Sequence, residues 1–534
     1  MADHKFKVVI AEKMAEDGIH ILRFNPAFEV VVLDKKEKDR LKQEVKTADA
    51  VVVRSGVKFT KDLLEDAPKL KIVGRAGAGY DNIDVPACSE KGVVVMAVPG
   101  GNSNGVVELT IGLMIALLRH IPKADATMKQ GKWEKNNLEG NELRGKTIGL
   151  IGLGKIGGMV GAICEALGMK VMALVKNPNK KRNVPFTGIF VEKLEDLLPN
   201  IDILSLHLPS SAETKGMIGA KELAMMKPGA YLINTARGNL VDEAALYEVL
   251  KNKKIAGAAI DVYSEEPAPI EKFPFIGLDN VVAMPHLGAS TFESQANVSK
   301  IICENIIQAL TTGVYLDAVN LPFQIATPDA MTYQPYIALV QRLARFAGQW
   351  SHAKLKEIKL TYRFTKQIDI KPIVHIGCAI ILGYTQPEVS LISVQKYLDQ
   401  QHIGLVLKQS QQLGWDDSLK IALTYVDGTS FEIRGVVAAQ TVPKIVEIQD
   451  RLIEFIPTGH WIVYENKNVP GVVGSVGTLL GNEKINIADI HLSKAEPNET
   501  VMGCISVDQE VPTSILEKIS KLDNILNARW VNLD

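Results

Sequence analysis

Arg237 in INTARGNLVDE, Glu266 in AAIDVYSEEP and His286 in VVAMPHLGAS each follow an apolar run of the kind a buried parallel strand requires. Open α/β sheets collect their ligands at the C-terminal ends of such strands. An imidazole titrates near neutral pH and can take a hydroxyl proton as general base. A carboxylate can hold the ring and stabilise imidazolium. A guanidinium fork can bind a carboxylate and polarise a developing carbonyl. Together the three fit hydride transfer from a 2-hydroxy acid, with a cofactor accepting the hydride and the protein supplying position and electrostatics. Singly, each also reads as a surface ion pair, a loop acid or a buried histidine. Three of them downstream of a nucleotide fingerprint favour the chemistry.

That fingerprint is GLGKIG, residues 152–157, between the apolar run TIGLI and the helix-like VGAICEALG. Gly152 permits a tight turn, Gly154 lets the backbone approach a pyrophosphate, and Gly157 allows close helix–strand packing. The helix N-terminus then meets the phosphate charge. About 20 residues on, such folds place an acid that hydrogen-bonds the ribose hydroxyls and repels a 2′-phosphate. Here the position reads Val175-Lys176-Asn177, and no acid appears before Glu192. Lys176, Lys180, Lys181 and Arg182 instead form a cationic loop. It either favours the 2′-phosphate of NADP or is a solvated run that touches nothing.

These residues need elements to hold them. A chain of 534 residues predicts about three or four domains. Composition is that of a globular protein, 46% apolar and 23% charged. With 60 Lys+Arg against 61 Asp+Glu there is no global charge case for nucleic acid. The five cysteines are far apart without a C-x-x-C, which argues against a metal cage and is consistent with a reducing compartment. No uninterrupted apolar run approaches the roughly 18 residues of a membrane span, and MADHKFKVVIAEKM lacks a signal or transit pattern. The expectation is a cytoplasmic protein with no metal, no nucleic acid and no membrane partner.

KVVIA (7–11), FEVVVL (28–33), AVVVRS (50–55) and LKIVGRAG (70–77) alternate with helix-like AEDGIHILRF and EKDRLKQEV, which predicts parallel strands in an open α/β sheet. VELTIGLMIALLRHI (107–121) predicts a helix with little polar face, buried between domains or subunits. A second α/β unit runs from 147 to about 290, with strands at KVMAL, IDILSLHL, AYLINTA, AGAAIDV and NVVAMP. PFQIATPDAM (322–331) reads as an exposed linker. Beyond it, EIKLTYRF alternates with period two, and IALTYVDGTSFEIRGVV carries an Asp427-Gly428 hairpin signal. From about 458 the order is β-α-β-β-α-β, as in ferredoxin-like folds.

GRAGAGYDNID (74–84), GGNSNGVVEL (100–109), GLGKIG, TARG, EEP and HLGAS, in that order, resemble the D-isomer-specific 2-hydroxyacid dehydrogenases over nearly the whole chain. The resemblance implies two Rossmann/flavodoxin-like domains around a cleft, the nucleotide domain (100–290) inserted in the substrate domain (1–99 and 291–325). It makes Arg237, Glu266 and His286 the catalytic set. Lys155, Ile156, His207, Thr235, Ala236, Asp261, Gly288 and Ala289 fall at cofactor-contacting positions, beside Gly152, Gly154, Gly157, Val175 and Lys176. Arg54, Arg75, Asn102 and Ser103 fall where phosphorylated substrates are gripped, and Lys135 matches a basic residue reaching in from a neighbouring subunit. The implied reaction is oxidation of 3-phosphoglycerate to 3-phosphohydroxypyruvate, opening the phosphorylated route to serine. Val175 replaces the family's usual Asp and Ala78 its common Thr. Family membership points to NAD, with NADP the alternative.

Residues 332–455 resemble the intervening domain of long-chain family members, which implies a homodimer or homotetramer. Residues 458–534 resemble an ACT domain, a module that binds small amino acids between paired subunits. Asn468-Val469-Pro470-Gly471 fits its ligand loop, Asn486 matches a second ligand amide, and Asn466 stands where some relatives have His. L-serine is the implied effector, against a ferredoxin-like oligomerisation module without ligand. Two other functions stay open at this stage: an NADPH-using hydroxypyruvate or glyoxylate reductase, and a non-catalytic nucleotide-sensing scaffold.

Overall fold

The computed structural model describes residues 5–177, 184–411, 414–494 and 499–533. Strands β1 (Phe6–Ile10), β2 (Phe28–Val32), β3 (Ala50–Val53), β4 (Ile72–Arg75) and β5 (Val94–Met96) pair in parallel in the order β2-β1-β3-β4-β5. Their side chains divide by the period of two. Val8, Ile10, Val52 and Ile72 enter one core, and Val9, Val51, Val53 and Val73 enter another on the opposite face. Both faces are covered, which is why these strands read as unbroken apolar runs. The order reverses between β1 and β3, so Glu12 and Arg54 emerge side by side beyond the strand ends.

The second sheet comprises β6 (Thr147–Ile151), β7 (Lys170–Leu174), β8 (Gly188–Val191), β9 (Ile203–Leu206), β10 (Tyr231–Asn234), β11 (Gly257–Ile260) and β12 (Val281–Ala283). It is wholly parallel in the order β12-β11-β10-β9-β6-β7-β8. The reversal lies between β6 and β9, the position where doubly wound sheets open a crevice for a dinucleotide.

Two helices join these units. Ser103–Leu118 packs Val107, Leu113, Met114 and Leu117 against the second sheet. It starts earlier and stops sooner than the apolar pattern predicts. His120 adopts a left-handed conformation (φ 52°) and Pro122 opens the next helix, Ile121–Lys129, across a 65° bend, since proline cannot continue the first. Phe292–Thr312 returns to the first sheet. The Thr291 side chain accepts the Ser294 N–H at 3.0 Å at its start, and Gly313 (φ 69°) ends it. It lies so close over β4 that a Cβ on Gly74 would stand 3.0 Å from Ile302 and Ile306.

The segment 322–331, expected as an exposed linker, is exposed at most positions but anchored at two. Phe323 and Ile325 are 4% and 1% exposed, the Asp317 N–H donates to the Ile325 carbonyl at 2.9 Å, and the Phe323 ring lies 5.6 Å from that of His375. From Leu321 to Ile325 alternate residues point inward, a pattern hidden by the prolines at 322 and 328. The helix Ala330–Gly348 follows at once.

That helix and Lys371–Gly383 pack on a sheet of β13 (Leu355–Arg363), β14 (Gly404–Gln409), β15 (Ser418–Tyr425), β16 (Ser430–Ala438), β17 (Val442–Ile448) and β18 (Arg451–Phe455). The expected hairpin joins β15 to β16, with Gly428 at φ 87°. Last come β19 (His460–Lys467), β20 (Ile487–Leu492), β21 (Thr500–Val507) and β22 (Ile525–Asn532), antiparallel in the order β20-β21-β19-β22 with helices Val472–Asn482 and Thr513–Ser520. This is the ferredoxin-like arrangement read from the sequence. Among the described residues no single helix is long and apolar enough to cross a membrane.

Candidate active site

Arg237, Glu266 and His286 follow β10, β11 and β12, three neighbouring parallel strands, so their loops open on one rim. His286 has φ 57°, an uncommon conformation for a residue with a side chain. Asp261, fully buried at the end of β11, holds the loop: its Oδ1 accepts the Leu287 N–H at 2.7 Å and its Oδ2 the Gly288 N–H at 3.0 Å. Burial keeps its carboxyl above the usual value despite those two donors.

His286 Nδ1 lies 2.7 Å from Glu266 Oε2, and Glu266 Oε1 accepts the Tyr263 N–H at 3.1 Å. The carboxylate thus fixes one ring nitrogen and leaves Nε2 for a substrate. The hydrogen bond to Glu266 raises the His286 pKa above the ordinary value, against the opposing effect of burial. Burial pushes Glu266 upward, but the hydrogen bond and charge of His286, the Tyr263 N–H and Arg237 together hold it below the ordinary value. Each member of the pair favours the charged form of the other.

Arg237 sits in an Asx-like turn. Asn234 Oδ1 accepts the Ala236 N–H at 3.1 Å, and its amide donates to the Arg237 carbonyl at 2.9 Å. Thr235 is buried, with its hydroxyl 2.8 Å from that of Thr110 on the Ser103–Leu118 helix. The guanidinium crosses the cleft, Nε donating to Asp81 Oδ2 at 3.1 Å and Nη1 to the Ala236 carbonyl at 2.7 Å.

On the other wall, Arg54 donates to the Lys13 carbonyl at 2.8 Å and to Gln295 Oε1 at 2.5 Å. Arg75 donates to the Ala76 carbonyl at 2.6 Å and to Asn82 Oδ1 at 3.3 Å. Its pKa is lowered to about 10, first by burial and then by the positive charge of Arg54, with Arg237 adding to it. Three cations from distant parts of the sequence therefore share one cleft, an arrangement that favours an anionic occupant. Asn102 precedes the Ser103–Leu118 helix, and Ser103 is 2% exposed with its hydroxyl lacking a hydrogen-bond partner. An unpaired buried hydroxyl at a helix N-terminus suits an anion. Lys135, in contrast, is exposed in the turn Lys135–Asn137 and is not hydrogen-bonded to these cleft residues.

The glycine loop fits a dinucleotide. A Cβ on Gly152 would stand 2.3 Å from the His207 carbonyl oxygen, and one on Gly157 2.0 Å from that of Gly152, whereas nothing lies within 4 Å over Gly154. Two glycines are required by packing, and the third leaves room for a ligand at a helix start with no side-chain cap. Ile156 packs into the core there, and Lys155 Nζ reaches across to the Gly100 carbonyl at 3.2 Å. His207 follows β9 at the crevice, its Nε2 3.0 Å from Ser205 Oγ, with burial lowering its pKa to about 4. Gly288 is buried, and the Ala289 carbonyl accepts from Gln295 at 2.7 Å. Val175 is half-buried just past β7, its N–H donating to the Val191 carbonyl at 2.8 Å, and Lys176 is exposed. The cations at 180–182 lie outside the described residues.

In the last unit the three candidate amides lie on β19, just after it, and just before β20. Asn466 is 5% exposed within β19, its amide donating to the Lys467 carbonyl at 2.7 Å. Asn468 follows that strand, its N–H on the Glu499 carbonyl at 2.8 Å. The exposed Asn486 pairs with Asp508 Oδ2 at 2.5 Å.

Asp81, Asn82 and Gln295 were not singled out by the sequence reading. The first two lie inside GYDNID, a stretch quoted for its likeness rather than for its chemistry. Asn82 Nδ2 donates to the Arg54 and Val57 carbonyls at 2.8 and 2.6 Å. Gln295 had no local signal.

Residues 111–288 match the model of the D-isomer specific 2-hydroxyacid dehydrogenase NAD binding domain. Residues 332–449 match the D-3-phosphoglycerate dehydrogenase intervening domain, and 460–524 the ACT domain. A D-3-phosphoglycerate dehydrogenase of Archaeoglobus fulgidus is 36% identical, the alignment spanning 99% of this chain and 100% of that protein. One of Bacillus subtilis is 32% identical over 99% and 100%. An NADPH-dependent glyoxylate/hydroxypyruvate reductase of Sinorhizobium meliloti, solved with NADP and malonate, superposes with a TM-score of 0.53 at 28% identity, covering 59% of this chain and 97% of that one.

Proposed function

Because the chain belongs to the D-isomer-specific 2-hydroxyacid dehydrogenases, as a D-3-phosphoglycerate dehydrogenase of the long form, we propose that Arg237, Glu266 and His286 carry its chemistry. The reaction is oxidation of 3-phospho-D-glycerate to 3-phosphohydroxypyruvate, the opening step of phosphorylated serine synthesis. NAD, held at the glycine loop, supplies the hydride acceptor. His286 Nε2 takes the hydroxyl proton, and Glu266 on Nδ1 stabilises the imidazolium that results. Arg237 binds the substrate carboxylate beside the reacting carbon and favours the developing carbonyl. Arg54, Arg75 and the Asn102-Ser103 turn take the phosphate.

The observation that carries this reading is the 2.7 Å His286–Glu266 pair on a rim facing Arg54 and Arg75. Its test is reduction of 3-phosphohydroxypyruvate against unphosphorylated hydroxypyruvate with the purified full chain. Preference for the phosphorylated acid is expected, and preference for the other would reassign it as a hydroxypyruvate reductase.

The exposed Ile121, Met128 and Trp133 on the segment after the long helix support self-association into a homodimer or homotetramer. That association would bring Lys135 to a neighbour's cleft. The chain divides, on this reading, at 1–99 with 291–325, 100–290, 332–455 and 458–534, and works in the cytoplasm. The ACT domain would take L-serine through Asn468 and Asn486, with Asn466 behind them.

A further inference from the structure

The Arg237 guanidinium already holds a carboxylate from the opposite wall. Nε donates to Asp81 Oδ2 at 3.1 Å, and Nη2 lies across Gly79, where a Cβ would stand 2.1 Å away. Asp81 and Arg237 are 156 positions apart and belong to loops from opposite walls of the cleft. The Asp81 side chain is 65% exposed, so the pair is no buried tie on which folding depends, and pairs this open contribute little to stability. An acid at this point also opposes the charge of a phosphorylated hydroxy acid. Its effect is on the site's own cations: Asp81 and Glu12 offset the mutual repulsion of Arg54, Arg75 and Arg237 around Arg75.

We propose that Asp81 stands in for the substrate's carboxylate, occupying the Arg237 fork in the substrate-free enzyme and yielding it when substrate arrives. Binding is then an exchange of one carboxylate for another at Arg237. Asp81 competes with substrate for Arg237, so its removal acts on KM. The inference rests on the reading of Arg237 as the carboxylate-binding group.

The test is steady-state kinetics of the full chain with 3-phosphohydroxypyruvate and NADH, comparing the parent with Asp81→Asn, Asp81→Ala, Asp81→Glu and Glu12→Gln. Asn and Ala should lower KM roughly two- to fivefold, the range of an exposed ion pair, with most of the change in KM rather than kcat. Asp81→Glu should return KM toward the parent. Glu12→Gln removes a negative charge near Arg75 but leaves the fork occupied, so its KM should fall less. An unmoved or raised KM in both Asn and Ala variants, a change carried by kcat, or an equal fall in Glu12→Gln overturns the exchange. A parent that does not turn over this substrate sinks the functional reading and this inference with it. A parent that does, beside Asp81 variants with its KM, sinks the inference alone.

Discussion

His286 Nδ1 and Glu266 Oε2 stand 2.7 Å apart, although the two residues reach that distance from the ends of different strands. The contact engages one ring nitrogen and raises the pKa of the imidazole. With His286 as the proposed base, oxidation needs it neutral, so kcat/KM in that direction should fall as pH drops through a value above the ordinary 6.5. Reduction needs the imidazolium and should fall as pH rises through the same value. Glu266→Gln removes the largest raising influence, so both limbs should move to lower pH, with kcat reduced. Profiles that stay in place or move upward would separate Glu266 from this role.

His286→Ala should lower turnover by roughly 10²–10⁴-fold, the range for a positioned general base, while nicotinamide dinucleotide still binds. The glycine loop that carries that affinity is formed by other strands. Binding measured by fluorescence titration, beside kcat, checks the division; a parallel loss of both would refute it.

Val175 occupies the strand end from which an acid would repel a 2′-phosphate. Val175→Asp should therefore shift kcat/KM toward NADH over NADPH, by roughly tenfold or more for one introduced charge at contact distance. An unchanged ratio would mean the ribose end is held away from this residue.

Asp261 accepts two backbone N–H groups from the His286 loop while fully buried. Asp261→Asn replaces one acceptor oxygen with a donor and sets N–H against N–H. The cost should be about 1–3 kcal/mol, read in denaturant unfolding, with turnover reduced as the loop loses its anchor. A variant as stable as the parent would show the loop held by other contacts.

Gly79→Ala would place a Cβ 2.1 Å from Arg237 Nη2, the free end of a flexible side chain. Stability should hardly change, because the guanidinium can swing aside, whereas KM for the phosphorylated acid should rise several-fold. Thermal unfolding beside kinetics distinguishes this from a general packing defect.

The legible parts of this molecule are local ones. Gly152, Gly154 and Gly157 announce their turn by spacing, and Arg237, Glu266 and His286 each announce themselves by following an apolar run. Both sheets could be anticipated because each strand is buried on two faces. Asp81 with Arg237, and Arg54 with Gln295 at 241 positions' separation, could not, since only the topology of two sheets and a returning helix brings them together. At 322–331 exposure was legible, but the burial of Phe323 and Ile325 was not: prolines mark an absence of regular structure, which does not report what a single side chain packs against. Asn466 is placed by likeness alone, and its burial follows from a strand register that likeness does not report.

One apolar cluster runs without interruption from Val8 and Ile302 through Phe323, Leu343 and Ile358 to Trp461 and Val531, whereas the nucleotide sheet closes around cores of its own. The chain thus has a chassis and a single detachable part. Heat or denaturant would release the nucleotide-binding unit as a separate cooperative unit, while the first, third and fourth units melt together. A truncation at 322–331 to imitate the shorter dehydrogenases would cut through the middle of that shared interior, exposing the faces of the Phe292–Thr312 and Ala330–Gly348 helices to water. The extra length of this chain closes the interior against which its first sheet and the Phe292–Thr312 helix pack.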